Sequence, residues 1–296
     1  ARFAQEPEAD ARAQQRLLDA ARLAGFERIE FLIEPIAAAL AYEAELDRDE
    51  LVLVGDFGGG TSDFTLMRLG PGRRGRADRS ADIVGATGVS IGGDRFDAEI
   101  MRHKLLRYFG AGSSYEQMGK RLPMPTYILG KLLAWHEMSL IRERTTQQLI
   151  ERMLYSSDDI PAIEALQDLV MENLGYRLFR AIEQAKIDLS RAPETRIRFD
   201  EARVRIDERI TREEFDRATA PLRAELDACV AELLAETSTD EDRVDAVFLT
   251  GGTSQIPSVH RLFERRFGAD RIRIGNNAGD AFTSVAAGLG LAAGSR

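Results

Sequence analysis

Hydrophobic and polar positions follow two different periods along the chain, and each change of period predicts the boundary of an element. Residues 11–24 place Leu17, Leu18 and Leu23 near one side of a helix. Residues 50–58 instead form a short, mostly apolar run that ends in glycine. Helical spacing of apolar residues indicates an amphipathic helix, whereas a short bounded apolar run is typical of a buried strand. The chain therefore predicts strands that alternate with helices.

The same criteria apply to the rest of the sequence. Strands are predicted at residues 29–34, 50–58, 62–69, 81–88 and 245–250, with a two-stranded hairpin over 196–207. Helices are predicted at residues 11–24, 35–46, 94–109, 126–154, 160–190, 211–236, 256–267 and 278–294. Thr211 and Glu214 have the spacing of a capping box, and Pro221 predicts a kink or break in the helix that follows. Residues 70–80 have no apolar period and predict a loop.

Three glycine-rich loops lie at predicted strand or helix boundaries, at residues 56–63, 90–97 and 249–257. Glycine has no Cβ, so its backbone can approach a phosphate closely, and positive φ can aim successive N–H groups at one anion. Carboxylates beside a phosphate require a cation between them, and magnesium is the usual one. A hairpin turn with charged ends is the alternative, but it needs fewer glycines. The first loop therefore predicts a phosphate and Mg²⁺ site made of Asp56, Gly58, Gly59, Gly60, Thr61 and Asp63.

Composition and charge narrow the class of protein. The 296 residues are 44% hydrophobic and 30% charged, which suits a packed core and not a disordered chain. A formal net charge of −9 argues against nucleic acid or an anionic membrane as a partner. No apolar run is long enough to span a bilayer, and the single cysteine, Cys229, lies in an apolar pattern that predicts a buried, reduced thiol. These features predict a cytoplasmic location and no disulfide.

Signatures of several other enzyme classes do not occur in the sequence. There is no Walker phosphate loop and no G-x-S-x-G nucleophile motif. His136 and Glu137 resemble the start of a zinc-protease helix, but Leu140 occupies the position of the second histidine. His103 and His260 have no metal-binding partner at a suitable spacing. The sequence therefore favours phosphate chemistry over zinc or serine hydrolysis.

Five motifs, in order along the chain, resemble those of one family. They are "EPIAAALAYE" (34–43), "DFGGGTSDF" (56–64), "IGGDRFD" (91–97), "FLTGGTSQIP" (248–257) and "NNAGDAFTSVAAG" (276–288). They are similar to the connecting, phosphate, signature and adenosine motifs of the seventy-kilodalton heat-shock chaperones, and most of all to the divergent YegD-type branch. The resemblance implies an α/β fold of the actin-like ATPase (ribonuclease H-like) type, of which this chain supplies mostly lobe II with a helical insertion.

The resemblance also implies roles for individual residues. Asp56 corresponds to the acid that holds magnesium through a bound water, Asp63 to the second acid of the phosphate motif, and Glu34 to a glutamate near the hydrolytic water. Thr61 belongs to both the catalytic set and the phosphate cradle. The nucleotide-binding residues that the resemblance implies are Gly58, Gly59, Gly60, Thr61, Gly92, Gly93, Glu183, Lys186, Ser190, Gly251, Gly252 and Thr253.

Several positions depart from the family pattern. Ile187 and Gln255 stand where many relatives have arginines that sandwich the adenine, and Gly279 replaces an aspartate. The segment before Glu183 is longer than is usual for the family. We expect the additional residues, about 112–160, to form a mostly helical extension that lies away from the glycine loops.

The resemblance implies three regions. Residues 1–50 correspond to a remnant of lobe I with its connecting helix. Residues 51–92 and 214–296 correspond to the core of lobe II with a final crossing helix, and residues 93–213 to its outer subdomain. The family's first phosphate motif and its catalytic lysine have no counterpart in the sequence. The resemblance therefore implies an N-terminally truncated fragment.

The expected ligands are ATP or ADP with Mg²⁺, and the expected parent protein hydrolyses ATP to switch the closure of its lobes. The truncated chain alone is expected to be inactive, because phosphoryl transfer needs clamping charge from both sides. Unfolded protein clients or a co-chaperone are further expected partners. Two alternatives stay open: a pseudo-ATPase that serves as an interaction module, and an actin-like filament protein.

Overall fold

The computed structural model describes residues 7–29, 31, 34–74, 76 and 79–274 of the chain. The described residues contain the strands β1 (Glu50–Phe57), β2 (Ser62–Leu69), β3 (Ile83–Val89), β4 (Ser114–Gln117), β5 (Lys120–Pro123), β6 (Glu194–Glu201), β7 (Val204–Thr211), β8 (Ala246–Thr250) and β9 (Ile272–Ile274). They also contain the helices α1 (Pro7–Leu23), α2 (Glu34–Glu43), α3 (Gly93–Ile100), α4 (Thr126–Lys131), α5 (Arg144–Ser156), α6 (Ile160–Met171), α7 (Gly175–Arg191), α8 (Arg212–Ala218), α9 (Ala220–Glu236) and α10 (Pro257–Phe267). None of these helices is long and apolar enough to cross a bilayer.

A five-stranded mixed sheet organises this part of the chain, with the strand order β3-β2-β1-β8-β9. β1 pairs antiparallel with β2 and parallel with β8, and β8 pairs parallel with β9. Strand β1 is buried on both faces because its side chains alternate between two cores. Val52 and Val54 pack in a cluster with Ala39 of α2, whereas Leu53 and Phe57 belong to the larger core on the other face. The mixed α/β architecture predicted from the apolar pattern is confirmed.

The larger core is formed where α9 and α10 pack against the sheet. Phe57 of β1 and Phe263 of α10 meet edge to face, with 5.9 Å between ring centroids. Phe64 of β2 lies 6.0 Å from the same Phe263 ring. Such aromatic pairs add to the burial of apolar area in stabilising the layers. The helix that follows the third glycine loop is thereby fixed over the end of β1.

The predicted helix start and break in residues 211–236 are both confirmed. Thr211 caps α8 through a reciprocal pair of hydrogen bonds, in which its Oγ1 accepts from the Glu214 N–H and its own N–H donates to the Glu214 carboxylate. α8 ends at Ala218, and Pro221 lies in the first turn of α9, where a missing N–H costs nothing. Cys229 is a buried free thiol, as expected.

Two long helices were expected where the structure has several short elements. Residues 126–154 form α4, a 3₁₀ turn (Glu137–Arg142) and α5 rather than one helix. Residues 160–190 are divided into α6 and α7 by Asn173, whose φ is +56°. Asparagine tolerates this left-handed conformation better than most residues, so it can end a helix without glycine.

The expectation of a mostly helical segment over residues 112–160 is wrong at its start, where β4 and β5 form a hairpin. Gln117 pairs with Lys120, so Met118 and Gly119 form the two-residue turn, and both have positive φ. Two-residue hairpin turns of this kind match the twist of the strands. Asp158 accepts hydrogen bonds from the Ser114 N–H and Oγ.

The described residues of the predicted loop 70–80 lie outside strands and α-helices, as predicted, but the end of this loop is buried by ion pairs. Arg79 is 6% exposed and donates to both oxygens of Glu43 at the end of α2. It also donates to Asp82 at 2.6 Å. The arginine therefore ties this loop to α2 through its ion pair with Glu43. Three of the six residues of the predicted strand 29–34 lie outside the described residues, and the predicted helix 278–294 and Gly279 lie entirely outside them.

Candidate functional site

The first glycine loop joins the carboxyl end of β1 to β2. Asp56 lies opposite Asp63 in the antiparallel register and beside Thr250 in the parallel register with β8. The Gly58 N–H donates to the Thr61 carbonyl at 2.9 Å, which closes the loop. Since β1 and β8 are parallel neighbours, the glycine loops that follow them start at the same edge of the sheet. Ligands of open α/β sheets bind at such an edge.

The second glycine loop is hydrogen-bonded directly to the first. Gly93 N–H donates to the Gly58 carbonyl at 3.0 Å, and Asp94 N–H donates to the Gly59 carbonyl at 2.8 Å. A Cβ on Gly92 would lie 2.3 Å from the Gly59 carbonyl oxygen, so a side chain does not fit there. Glycine is therefore required at position 92, because the backbone of the second loop touches the backbone of the first loop there.

The third loop approaches β1 equally closely. Gly251 has a φ of +85°, and a Cβ there would lie 2.1 Å from the carbonyl oxygen of Phe57. Both the backbone conformation and the close contact require glycine at this position. Thr253 Oγ1 lies 3.5 Å from the position that a Cβ on Gly93 would take, so the second and third loops are also neighbours.

Gly58, Gly59 and Gly60 differ from these two glycines. None of the three has positive φ, so the expectation that they use left-handed backbone to aim their N–H groups is wrong. The closest atom to a Cβ on Gly58 would be 3.4 Å away, and a Cβ on Gly60 would meet nothing within 4 Å. The packing of the protein therefore does not demand glycine here, and the missing side chains leave open space beside the backbone.

The three loops line one cleft of about 690 Å³, together with one face of α7. This volume lies within the usual range for small-molecule sites, which is roughly 300–1,000 Å³. The cleft brings together ten of the residues expected from the sequence: Asp56, Gly58, Gly59, Gly93, Glu183, Lys186, Ser190, Gly251, Gly252 and Thr253.

The other expected site residues lie outside that lining. Thr61 Oγ1 donates to Asp63 Oδ2 at 2.9 Å, which turns both side chains towards each other. Gly60 lines a neighbouring pocket of about 360 Å³. Gly92 acts through backbone packing, as described above. The side chain of Glu34 lies outside the described residues, although its backbone begins α2.

Lys186 lies at the back of the cleft and is held by two acceptors. Its Nζ donates to Asp97 Oδ2 at 2.9 Å and to the Gly93 carbonyl at 3.2 Å. Glu183, one turn earlier, accepts from Arg180 Nη1 at 2.7 Å, and this bond is open to solvent. Ser190 Oγ donates to the Lys186 carbonyl at 3.3 Å. The expected face of α7 is therefore present in the cleft, and its lysine is already ion-paired.

Asp97 is a site residue whose role the sequence did not reveal. Burial raises the pKa of its carboxyl group to about 6, although the Lys186 ammonium acts in the opposite direction. The sequence placed Asp97 only in a glycine motif, and no periodicity links it to a lysine 89 residues later.

Further lining residues were also missed, and they are both aromatic and basic. They are Trp135, Tyr176, Phe179, Arg180 and Arg191. Tyr176, Phe179 and Arg180 follow from the helical period of α7 when it is continued backwards from Glu183. Trp135 does not, because it comes from the segment between α4 and the 3₁₀ turn. Its ring meets that of Tyr176 nearly at right angles, with 5.7 Å between centroids.

The position of Trp135 overturns an expectation about the segment 112–160. That segment was expected to lie away from the glycine loops, but Trp135 lines the cleft with Gly58 and Gly59. The smaller pocket that contains Gly60 is also lined by Trp135 and His136. The segment therefore borders the end of the cleft that the first glycine loop forms.

The donor set at the cleft suits a cation held through water and ligand oxygens. The described residues hold no group of three or more His, Cys, Asp or Glu side chains arranged to bind a metal by themselves. Asp56 and Asp94 nevertheless both line the cleft. Mg²⁺ usually keeps several waters and is bound by one or two carboxylates together with substrate phosphates. The residues present therefore fit Mg²⁺ that arrives with a phosphate ligand.

Known proteins match this chain over most of its length. A sequence model of the Hsp70 protein family matches residues 9–118 and 163–294. The "Chaperone protein dnaK" of Guillardia theta is 26% identical over 259 residues, which cover 85% of this chain and 32% of that protein. The "Chaperone protein dnaK1" of Prochlorococcus marinus subsp. pastoris is 28% identical over 84% of this chain and 30% of that protein.

The "Chaperone protein DnaK" of Deinococcus deserti is likewise 28% identical, over 83% of this chain and 31% of that protein. The chain thus spans about a third of the length of these curated relatives. The family match leaves out residues 119–162, which include β5, α4 and α5. With a mixed α/β sheet, three glycine loops at one edge and a family match on both sides of that gap, the chain belongs to the Hsp70 family.

Proposed function

We propose that this chain is the larger part of a nucleotide-binding domain in a heat-shock-type chaperone, and that it binds ATP or ADP with Mg²⁺ in the cleft described above. The observation that carries the proposal is the meeting of three glycine loops, Asp56 and one face of α7 in a single cleft. Backbone at Gly58 and Gly59 is open to a phosphate chain, because packing leaves the space of their side chains empty.

Each region of the cleft has a distinct part in this proposal. The loops around Gly58, Gly93 and Gly252 bind phosphates through backbone groups, and the face of α7 with Glu183 and Ser190 binds the sugar. Asp56 at the end of β1 orients the water shell of Mg²⁺, which when bound neutralises charge on the phosphate oxygens. Asp56 lies on a buried strand between two hydrogen-bonded neighbours, so its backbone is fixed at the edge of the cleft that this residue lines.

The finer assignments remain proposals of the same kind. We propose that the described residues within 51–92 and 214–296 belong to the core of lobe II, that residues 93–213 form its outer subdomain, and that the protein belongs to the divergent YegD-type branch. We further propose, from the family resemblance, that the full-length protein hydrolyses ATP to switch lobe closure, acts on protein clients and is cytoplasmic.

The first experiment replaces Asp56 in the full-length protein. We expect Asp56→Asn to reduce magnesium-dependent ATP hydrolysis about 10²–10³-fold, because a fixed charge aimed at a reacting centre is worth roughly that factor. The dissociation constant for ATP should change less than about tenfold, since one orienting group contributes little to ground-state binding. Steady-state phosphate release and calorimetry measure the two quantities.

Asp200→Asn is the matched control, because Asp200 is an exposed carboxylate of the β6–β7 hairpin and lies outside the cleft lining. Its effect on hydrolysis should be much smaller than that of Asp56→Asn. Equal losses of binding and hydrolysis in Asp56→Asn would make Asp56 a structural residue of the strand. Tight binding without any hydrolysis in the unsubstituted protein would favour the pseudo-ATPase alternative.

A further inference from the structure

Asp97 is a buried acid that is only half satisfied. It lies on α3, its side chain is 7% exposed, and its Oδ2 accepts from Lys186 Nζ at 2.9 Å. Its other oxygen, Oδ1, is fully buried and has no hydrogen-bond partner among the described residues. A buried charge with an unsatisfied oxygen is costly, so its position needs a reason beyond stability.

That reason is found in Lys186, whose side chain is 12% exposed and lines the cleft. An ammonium group has three donors. Two of them are used within the described residues, one on Asp97 Oδ2 and one on the Gly93 carbonyl. A lysine side chain has a flexible four-carbon stem, so its ammonium group would otherwise sample many positions. The two acceptors fix the ammonium at the cleft wall, beside the loop that also contacts Gly58.

We propose that Asp97 is a positioning residue of the nucleotide site, which holds the Lys186 ammonium so that its remaining donor faces the bound nucleotide. The inference rests on the proposed function and adds to it a residue that does not itself touch the ligand. Asp97 and Gly93 lie on the same helix as Asp94, whose N–H is bonded to the first glycine loop. The ammonium group of Lys186 is therefore held next to the backbone that we propose binds the phosphates.

The charges around Asp97 make this positioning depend on pH. Its carboxylate faces Lys186 and Glu183 on α7 and Asp94 on its own helix, and burial raises its pKa to about 6. Above pH 6 the carboxylate is ionised and holds the lysine. As the pH falls through 6 the carboxyl group is protonated, and the charge that attracts the ammonium is lost. Affinity for nucleotide should therefore decline over this range through the loss of one ordered donor.

The test measures the dissociation constant of ADP from pH 5 to 8 by calorimetry, for the full-length protein and for Asp97→Asn. At pH 7.5 the variant should bind about tenfold more weakly, which corresponds to one charge-assisted hydrogen bond. Between pH 7.5 and 5 the unsubstituted protein should lose about tenfold more affinity than the variant. Titration of the ADP phosphates affects both proteins equally and cancels in this comparison.

Lys186→Met is the second variant. It removes the ammonium group that we propose contacts the nucleotide, whereas Asp97→Asn removes the charge that positions it. It should weaken ADP binding about as much as Asp97→Asn and show the same shallow pH profile. The double variant should be no weaker than Lys186→Met alone, because the two residues act as one unit. Melting curves of each variant show that the fold is retained.

The outcomes separate this inference from the proposed function. ADP binding with the same pH profile in the unsubstituted protein and in both variants would overturn the role of Asp97 and leave the nucleotide site intact. Additive losses in the double variant would also overturn it, since independent contributions mean that Asp97 does not act through Lys186. No ADP binding at any pH in the unsubstituted protein would overturn both.

Discussion

Gly92 and Gly60 lie in the same group of loops, yet different physical requirements apply to them. Gly92 has φ and ψ of −132° and −169°, which any residue can adopt. Its constraint is the Gly59 carbonyl, 2.3 Å from where a Cβ would be. A Cβ on Gly60 would meet nothing within 4 Å. At the scale of single residues, packing of the protein requires the first glycine, whereas it leaves open space at the second.

This contrast gives a prediction for a matched pair of variants. Gly92→Ala should lower the free energy of unfolding by about 1–3 kcal/mol, because backbone must shift to accept the methyl group. Gly60→Ala should change it by less than about 0.5 kcal/mol, as is usual for exposed sites. Urea unfolding of both variants provides the measurement. Equal effects on stability would contradict this contrast, because they would mean that packing constrains the two glycines to the same extent.

Several site residues were predictable because their chemistry is local in sequence. Asp56 and the glycines that follow it combine an apolar strand with residues that no ordinary turn requires, so the loop indicated phosphate chemistry by itself. Asp97 was recognised only as part of a motif, since its pairing with Lys186 depends on how α3 packs against α7. Trp135 fell within the predicted helix 126–154, and nothing near it in sequence shows which loop it will face.

At the scale of elements, α8 shows how much a single cap contributes. Thr211 Oγ1 accepts from the Glu214 N–H, and the Glu214 carboxylate accepts from the Thr211 N–H at 2.8 Å. Lys104 donates to the same carboxylate at 2.8 Å. Lys104 first, and then the Thr211 backbone, lower the pKa of Glu214 to about 2. The cap thus joins the end of β7 and the helical segment after α3 to the start of α8.

We expect Thr211→Ala to reduce the free energy of unfolding by about 1 kcal/mol, since it removes the acceptor for one helix N–H group. Thr211→Ser keeps the hydroxyl group and serves as the control, with a loss well below that of alanine. Chemical denaturation at neutral pH measures both. A loss as large for serine as for alanine would show that the methyl group of Thr211, and not its hydroxyl, stabilises this junction.

The elements that the sequence predicted incorrectly share one cause. Capping boxes and prolines act within a few residues, so the start of α8 and the break before α9 were visible in the chain. The turn at Met118 and the break at Asn173 both use positive φ at residues other than glycine. Only the surrounding structure selects that conformation, because neither residue type demands it. The β4–β5 hairpin and the end of α6 were therefore hidden from the apolar pattern.

At the scale of the molecule, the segment between α3 and α6 connects to the cleft through Trp135. This residue is the only tryptophan in the chain and is 47% exposed. Tyr176 beside it is 57% exposed. Large aromatic side chains that stay partly exposed at the rim of a cleft are suited to contact with a ligand or another surface.

Tryptophan emission should therefore report nucleotide binding. We expect ADP with Mg²⁺ to shift the emission of Trp135 to shorter wavelength, because a ligand in the cleft displaces water from the indole ring. The signal should saturate at the dissociation constant that calorimetry gives, and Trp135→Phe should abolish it without a comparable loss of affinity. Unchanged emission at saturating ADP would place the bound nucleotide away from the segment that carries Trp135.

The strand order of the sheet also has a consequence for biosynthesis. β3, β2 and β1 are consecutive in the chain, but the other side of β1 is completed by β8. Leu51 and Asp245, hydrogen-bonded where these strands begin, are 194 residues apart. At roughly 5–20 residues per second, a ribosome needs about 10–40 s to add that length of chain. For that time the apolar edge of β1 is an open template for strands of other molecules, so this member of a chaperone family itself needs protection while it is being made.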